Sequence, residues 1–135
     1  MAIQDCKIIK LPKFSDSRGN LTSIENSTLI PFDIKRVYYL YQIPKNSQRG
    51  AHGHIELEQL VIAINGSFDI ELDDAFSKKS YHLDSPDQGL YITNGIWRDI
   101  KSFSDNAVCL VLASLTYNEN DYIRNYDEFT SLMKK

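Results

Sequence analysis

Two of the chain's 3 histidines stand two residues apart in Arg49-Gly50-Ala51-His52-Gly53-His54-Ile55-Glu56-Leu57-Glu58. Side chains alternate across a strand, so His52 and His54 share one face of a strand through this segment, and Glu58 joins them if the phase continues. Such a group suits two kinds of chemistry. Neutral imidazoles with a carboxylate ligate metals, and two histidines plus one carboxylate can hold a non-haem iron. Imidazole, with an ordinary pKa of about 6.5, equally suits removal and return of a proton at neutral pH. A third reading, a pair that is merely packed or solvated, requires no chemistry, but in-phase histidines flanked by Arg49 and Glu58 are unusual in a core.

His-x-His followed by a carboxylate, with Gly66 closing a turn beyond, resembles the first half of the cupin signature. The second half, roughly Gly…Pro-x-Gly-x-x-His, adds a further histidine ligand from a neighbouring strand. In Gly89-Leu90-Tyr91-Ile92-Thr93-Asn94-Gly95-Ile96-Trp97-Arg98 that place is taken by Arg98. A guanidinium stays protonated and has no lone pair for a metal. His82 is remote in sequence and precedes a turn, as a surface or edge residue does. The balance therefore falls on acid/base chemistry, with one histidine removing a proton and the other delivering one to an adjacent carbon.

The elements that must position this pair read as short strands between turns. Arg36–Ile43 is rich in β-branched and aromatic residues and stops at Pro44. Leu57–Ile64 ends at Asn65-Gly66, a hairpin signal, and Ser67–Asp73 then alternates apolar and polar as a half-buried partner strand does. Ser80–Leu83 and Gly89–Ile92 continue the pattern, and Ala107–Ser114 reads as a fully buried strand. Turns at intervals of roughly ten residues predict an antiparallel sandwich or barrel. Helix is expected only at the end: Asn118 caps Glu119–Arg124, and a second segment follows over Asp127–Met133. The fold class is all-β, a cupin or jelly-roll antiparallel barrel with a short C-terminal helical segment, in one domain over residues 1–135.

Composition narrows the functions. A net charge of −3 argues against a general nucleic-acid binder, which needs a basic patch, but not against one nucleotide held by a few arginines. No apolar run is long enough for a membrane helix, and the N-terminal residues lack the basic-then-apolar order of a signal peptide, so a cytoplasmic protein is expected. Cys6 and Cys109 form no metal spacing; Cys109, in the apolar run Ala107–Ala113, reads as a small buried hydrophobe. Asp16-Ser17-Arg18-Gly19 is a tight turn that presents a guanidinium just before a strand. Arg18, Arg36, Arg49 and Arg98, in an otherwise acidic chain, suggest a site for a diphosphate. Tyr38, Tyr39 and Trp97 could offer stacking surface to a base or sugar, although each alone is as well explained by core packing.

The chain resembles the dTDP-sugar 3,4-ketoisomerases, small cupins of deoxysugar biosynthesis. The resemblance is carried by Asp16-Ser17-Arg18-Gly19-Asn20-Leu21, Pro31-Phe32-Asp33-Ile34-Lys35-Arg36-Val37-Tyr38-Tyr39, Arg49–His54 with Leu57-Glu58-Gln59, Leu83-Asp84-Ser85-Pro86…Gly89–Ile92, Val111–Ser114 and Asp121–Phe129. It implies a dTDP-linked 4-keto-6-deoxy sugar as substrate, dTDP-4-keto-6-deoxyglucose, and a product with its keto group at C3. It also implies no cofactor, no metal, a service to O-antigen and lipopolysaccharide synthesis, and a homodimer whose subunits exchange N-terminal strands. The family's histidine pair falls on His52 and His54. Relatives often carry histidine where this chain has Arg98, which leaves the product's configuration at C4, gluco or galacto, open. The expected roles are His54 as the base at C3, His52 as proton carrier for C4 or the oxygens, and Tyr38 assisting. Arg18 and Arg49 are expected on the diphosphate, with Arg36, Tyr39, Trp97, Arg98 and Glu58 also in contact with substrate and Glu58 orienting a histidine. The alternatives are a dTDP-4-keto-sugar 3,5-epimerase, a non-catalytic nucleotide-sugar-binding cupin and a metal-dependent oxygenase.

Overall fold

Two five-stranded antiparallel sheets lie face to face. A computed structural model describes residues 2–26 and 29–135. The strands are β1 (Lys7–Lys10), β2 (Phe14–Asp16), β3 (Gly19–Leu21), β4 (Arg36–Leu40), β5 (Arg49–His54) and β6 (Gln59–Asn65). They continue with β7 (Phe68–Asp73), β8 (Lys78–Leu83), β9 (Gln88–Ile92), β10 (Trp97–Lys101), β11 (Val108–Ala113) and β12 (Tyr122–Ile123), before the helix α1 (Tyr126–Met133). One sheet has the order β1-β9-β6-β11-β4, the other β12-β5-β10-β7-β8, and β2-β3 forms a separate hairpin. This is the antiparallel cupin barrel that the sequence predicts, with its helix at the C-terminal end.

The apolar runs of β6 and β11 follow from burial on both sides, as in any strand covered on two faces. Val61, Ala63, Cys109 and Val111 point inward and meet Phe68, Ile70, Leu72 and Ile100 of the second sheet. Leu60, Ile62 and Leu112 point outward, where Ile9, Leu11 and Ile30 cover them. β11 is not buried throughout: Val108 and Leu110 remain half-exposed.

Two expectations are corrected. The Asn65-Gly66 turn does not close a hairpin, because β6 pairs with β9 and β11 while β7 pairs with β8 and β10. The turn, with Gly66 at φ +67°, carries the chain from one sheet to the other. Consequently β7 is covered by the facing sheet and is more buried than a solvent-facing partner strand. The helix expected over Glu119–Arg124 is a single 3-10 turn, Glu119–Asp121, followed by β12. Asn118 does cap it, accepting a hydrogen bond from the Asn120 N–H at 3.1 Å. Pairing of Tyr122 with His54 and Ile123 with Gly53 outcompetes helical propensity there. The only α-helix among the described residues starts later, capped by Asn125, whose side chain accepts from the Glu128 N–H at 2.9 Å.

That helix holds β5 from outside. Phe129 is fully buried with Trp97 and Ile123. A Cβ on Gly53 would stand 2.9 Å from the Phe129 ring, so only glycine between the two histidines admits it. Among the described residues no helix is long and apolar enough to cross a membrane. Phe129→Ala should lower unfolding free energy by about 3–5 kcal/mol in a denaturant titration, the usual cost of emptying a buried aromatic site; a loss under about 1 kcal/mol would show that α1 does not brace β5.

Candidate active site

The histidine pair is aimed by a β-bulge. His52 faces Arg98 across the ladder and Gly50 faces Asp99, which leaves Ala51 as the extra residue. Gly50 lies at φ +86° and Ala51 at φ +56°, and a Cβ on Gly50 would stand 2.9 Å from the Arg98 carbonyl oxygen. Bulges of this kind re-aim the side chains that follow them. Beyond the bulge, His52 and His54 both point between the sheets, their rings edge to face at 4.8 Å between centroids. Tyr122 packs against both, 5.1 Å from His52 and 4.4 Å from His54.

His54 has no exposed surface. Its Nδ1 lies 3.1 Å from Asp121 Oδ2. The same carboxylate accepts the Glu56 N–H at 2.7 Å and the Leu57 N–H at 3.2 Å. An ionised carboxylate only accepts, so the network assigns the proton to Nδ1 and leaves Nε2 as a bare base. That Nε2 is buried and has no hydrogen-bond partner among the described residues. His52 is partly exposed and lines the cavity described below.

Arg98 sets the electrostatics. It is 2 % exposed and donates to Gln59 Oε1 and to the Ile96 carbonyl at 2.9 Å. Both partners are neutral oxygens, so its positive charge stays uncancelled by them. Burial and the Arg98 charge lower the His52 pKa from 6.5 to about 4. The same two causes, with His52 itself as a third, hold His54 far below the ordinary value despite Asp121. Burial lowers Arg98 only to about 10, so it remains a cation while both histidines are neutral at pH 7.

A cavity of about 410 Å³ opens in front of His52, walled by Arg36, Tyr38, Arg49, Tyr117, Tyr122 and Arg124. A narrower space of about 60 Å³ reaches inward past Tyr38 to Gln59 and Arg98. The Arg36 guanidinium lies over Tyr38 at 5.0 Å and over Tyr117 at 5.6 Å, and two of its nitrogens are buried without hydrogen-bond partners among the described residues. Arg124 is held on Glu119 by bonds of 2.6 and 2.9 Å and lies over Tyr122 at 4.4 Å. Three guanidinium groups and three tyrosines around neutral imidazole suit an anionic, ring-bearing ligand next to a proton-transfer group.

The expected site residues separate into two groups. His52, His54, Tyr38, Arg36, Arg49 and Arg98 converge. Arg18 lies on the β2-β3 hairpin, 88 % exposed in its side chain and paired with Asp16 at 2.6 Å. Tyr39 alternates outward from Tyr38 and packs on Tyr41 at 5.6 Å. Trp97 is under α1, where its Nε1–H donates to Asp99 at 3.2 Å. Glu58 accepts from the Tyr91 hydroxyl on the outer side of its sheet; the carboxylate that orients a histidine is Asp121. Asp121, Gln59, Tyr117, Tyr122 and Arg124 were not foreseen as site residues. The available signal was the aromatic and charged run Tyr117–Arg124, obscured by reading it as helix. Among the described residues no three side chains of His, Cys, Asp or Glu are grouped as metal ligands.

Lowered histidine pKa values link stability to pH. When folded, His52 resists protonation until about pH 4, whereas the unfolded chain takes up its proton near 6.5. Its contribution is therefore complete above pH 6.5 and lost progressively as pH falls toward 4; His54 acts in the same direction. Denaturant midpoints should be flat above pH 7 for this pair and fall below pH 6.5, with a shallower fall in His52→Asn; equal slopes in the two proteins would refute the assignment.

Comparison with known proteins identifies the family. Residues 4–134 match the family model described as FdtA: WxcM-like, C-terminal. A curated TDP-4-oxo-6-deoxy-alpha-D-glucose-3,4-oxoisomerase from Aneurinibacillus thermoaerophilus is 44 % identical over 129 residues, 96 % of this chain and 93 % of that protein. A histidine-to-asparagine variant of the 3,4-ketoisomerase QdtA from Thermoanaerobacterium thermosaccharolyticum, solved with TDP-4-keto-6-deoxyglucose, superposes with a TM-score of 0.95 at 42 % identity, covering 98 % of this chain and 96 % of that one. The TDP-quinovose 3,4-ketoisomerase WlaRB from Campylobacter jejuni superposes at 0.91 with 48 % identity, covering 96 % and 99 %. With an interior histidine pair, a cavity rimmed by arginines and this likeness along nearly its whole length, the chain belongs to the FdtA-type, WxcM-like C-terminal family of sugar 3,4-ketoisomerases.

Proposed function

We propose that this protein is a cytoplasmic enzyme that converts TDP-4-keto-6-deoxyglucose to the TDP-3-keto-6-deoxyhexose through an enediol. The observation that carries the reading is His52, a neutral imidazole at the wall of a cavity rimmed by Arg36, Arg49 and Arg124. The C4 carbonyl acidifies the proton at C3. A base removes that proton to give an enediolate across C3 and C4. Reprotonation at C4, with the hydroxyl proton passing from O3 to O4, leaves the carbonyl at C3. Nothing is oxidised or reduced overall.

The geometry favours exchanging the roles expected within the pair. His52 meets the cavity, whereas His54 has no exposed surface and is tied to Asp121. We assign the C3 proton to His52 and give His54 the part of a buried base behind it. Arg36, with unpartnered nitrogens, and Arg49 are placed on the diphosphate. The 48 % identity to a TDP-quinovose enzyme supports the gluco configuration at C4.

A homodimer with exchanged N-terminal strands is part of the same reading. Every residue of β2 and β3 is exposed, including Phe14 at 62 % and Leu21 at 59 %, which is apolar surface left for a second copy to cover. Such a copy would carry Arg18 to its neighbour's cavity. Light scattering should return twice the 15.5 kDa chain mass, and a monomer at micromolar concentration would exclude the exchange.

The decisive experiment is NMR of the product formed from TDP-4-keto-6-deoxyglucose, trapped by a 3-aminotransferase. The carbonyl should appear at C3 with gluco configuration at C4. His52→Asn should lower kcat by about 10²–10⁴, the usual contribution of a positioned base. In D₂O, deuterium at C5 would instead identify the 3,5-epimerase, and tight TDP binding with no turnover would identify a sensor.

A further inference from the structure

Behind the cavity wall runs a buried hydrogen-bond chain whose direction is determined by its inner end. Arg98 Nη1 donates to Gln59 Oε1, and Gln59 Nε2 donates to Tyr38 Oη at 3.0 Å. Gln59, like Arg98, is 2 % exposed. A glutamine amide can ordinarily present either end, and a tyrosine hydroxyl can donate or accept. A guanidinium has five N–H donors and no acceptor, so beside Arg98 the amide must turn its oxygen inward. Its NH₂ then faces Tyr38, and the Tyr38 oxygen must accept. The Tyr38 proton is left pointing away from Gln59, and among the described residues it has no acceptor.

Tyr38 lines both the outer cavity and the narrow space behind it. We propose that Gln59 is a positioning residue which, held by Arg98, compels Tyr38 to donate its hydrogen bond into the cavity, onto the oxygen that becomes negative in the enediolate. The inference rests on the ketoisomerase reading and adds to it a residue that acts through Tyr38. Accepting a hydrogen bond polarises the Tyr38 O–H further, as in any chain of donors. Burial raises the Tyr38 pKa, so the hydroxyl keeps its proton at neutral pH. The donor is aligned before the substrate arrives, which is what makes an oxyanion contact effective.

Gln59→Glu reverses the polarity with little change of shape. Beside Arg98 the carboxylate stays ionised, and its outer oxygen accepts from Tyr38 instead of donating to it. Expected is a kcat lower by about 10²–10³, the usual loss of one oxyanion donor, with KM and TDP affinity within twofold. Tyr38→Phe should lose a similar factor, and Gln59→Glu added to Tyr38→Phe should cost less than a further twofold. Gln59→Asn keeps an acceptor for Arg98 but is one methylene too short for Tyr38; it should lose about tenfold in kcat, and nothing in the Tyr38→Phe background. Losses that multiply in either double variant, or an undiminished kcat in a folded single variant, would overturn the proposal. Wild-type turnover of TDP-4-keto-6-deoxyglucose is measured first: its failure refutes the ketoisomerase reading, whereas turnover with multiplying losses refutes only the role of Gln59.

Discussion

A full positive charge inside an apolar barrel is the constraint around which this structure is organised. Arg98 is almost wholly removed from water, and among the described residues its hydrogen bonds go to neutral oxygens. Moving such an ion out of water costs several kcal/mol even after relaxation, and a carboxylate beside it would be the ordinary remedy. Here the charge is instead left to act on its surroundings. Together with burial, the larger cause, it lowers the pKa of both His52 and His54. It also dictates the orientation of Gln59, and any negative charge that develops in the cavity gains from its proximity.

Asp121 performs the complementary task at the other end of the pair. Its carboxylate accepts from two backbone N–H groups as well as from His54, which places the His54 proton on Nδ1. The imidazoles are thus held between a cation that suppresses their protonation and an anion that selects a tautomer. Neither residue lies in the His-x-His motif: Arg98 comes from β10 and Asp121 from the turn before β12. The bulge at Gly50-Ala51 and the ring of Phe129 over Gly53 bring the three segments together.

Local pattern was sufficient where an element's own side chains decide its environment. The apolar runs of β6 and β11 and the alternation of β7 announced strands, and the paired histidines announced the candidate site. It failed where the partner decides. Asn65-Gly66 specifies a tight turn but not which sheet receives the next strand. Glu119–Arg124 has helical composition, yet two backbone pairings with β5 make it a turn and a strand. Tyr39, Trp97 and Glu58 have the right chemistry beside the right motifs but point to the opposite face or lie under the helix.

Taken alone, the residues narrowed the kind of chemistry to be expected. Two in-phase imidazoles follow from the two-residue period of a strand, and arginine at position 98 cannot ligate a metal in any fold. Whole-length resemblance added the family. Which histidine meets the cavity, which carboxylate holds the other and which arginines rim the opening were decided only by tertiary structure. Those properties depend on the bulge, on sheet pairing and on burial, which join residues as distant in sequence as His54 and Asp121, 67 positions apart, or Arg36 and Tyr117. Burial, with the Arg98 charge second, also lowers the His52 pKa from 6.5 to about 4, because the cost of charging an imidazole is set by the medium around it rather than by its own composition.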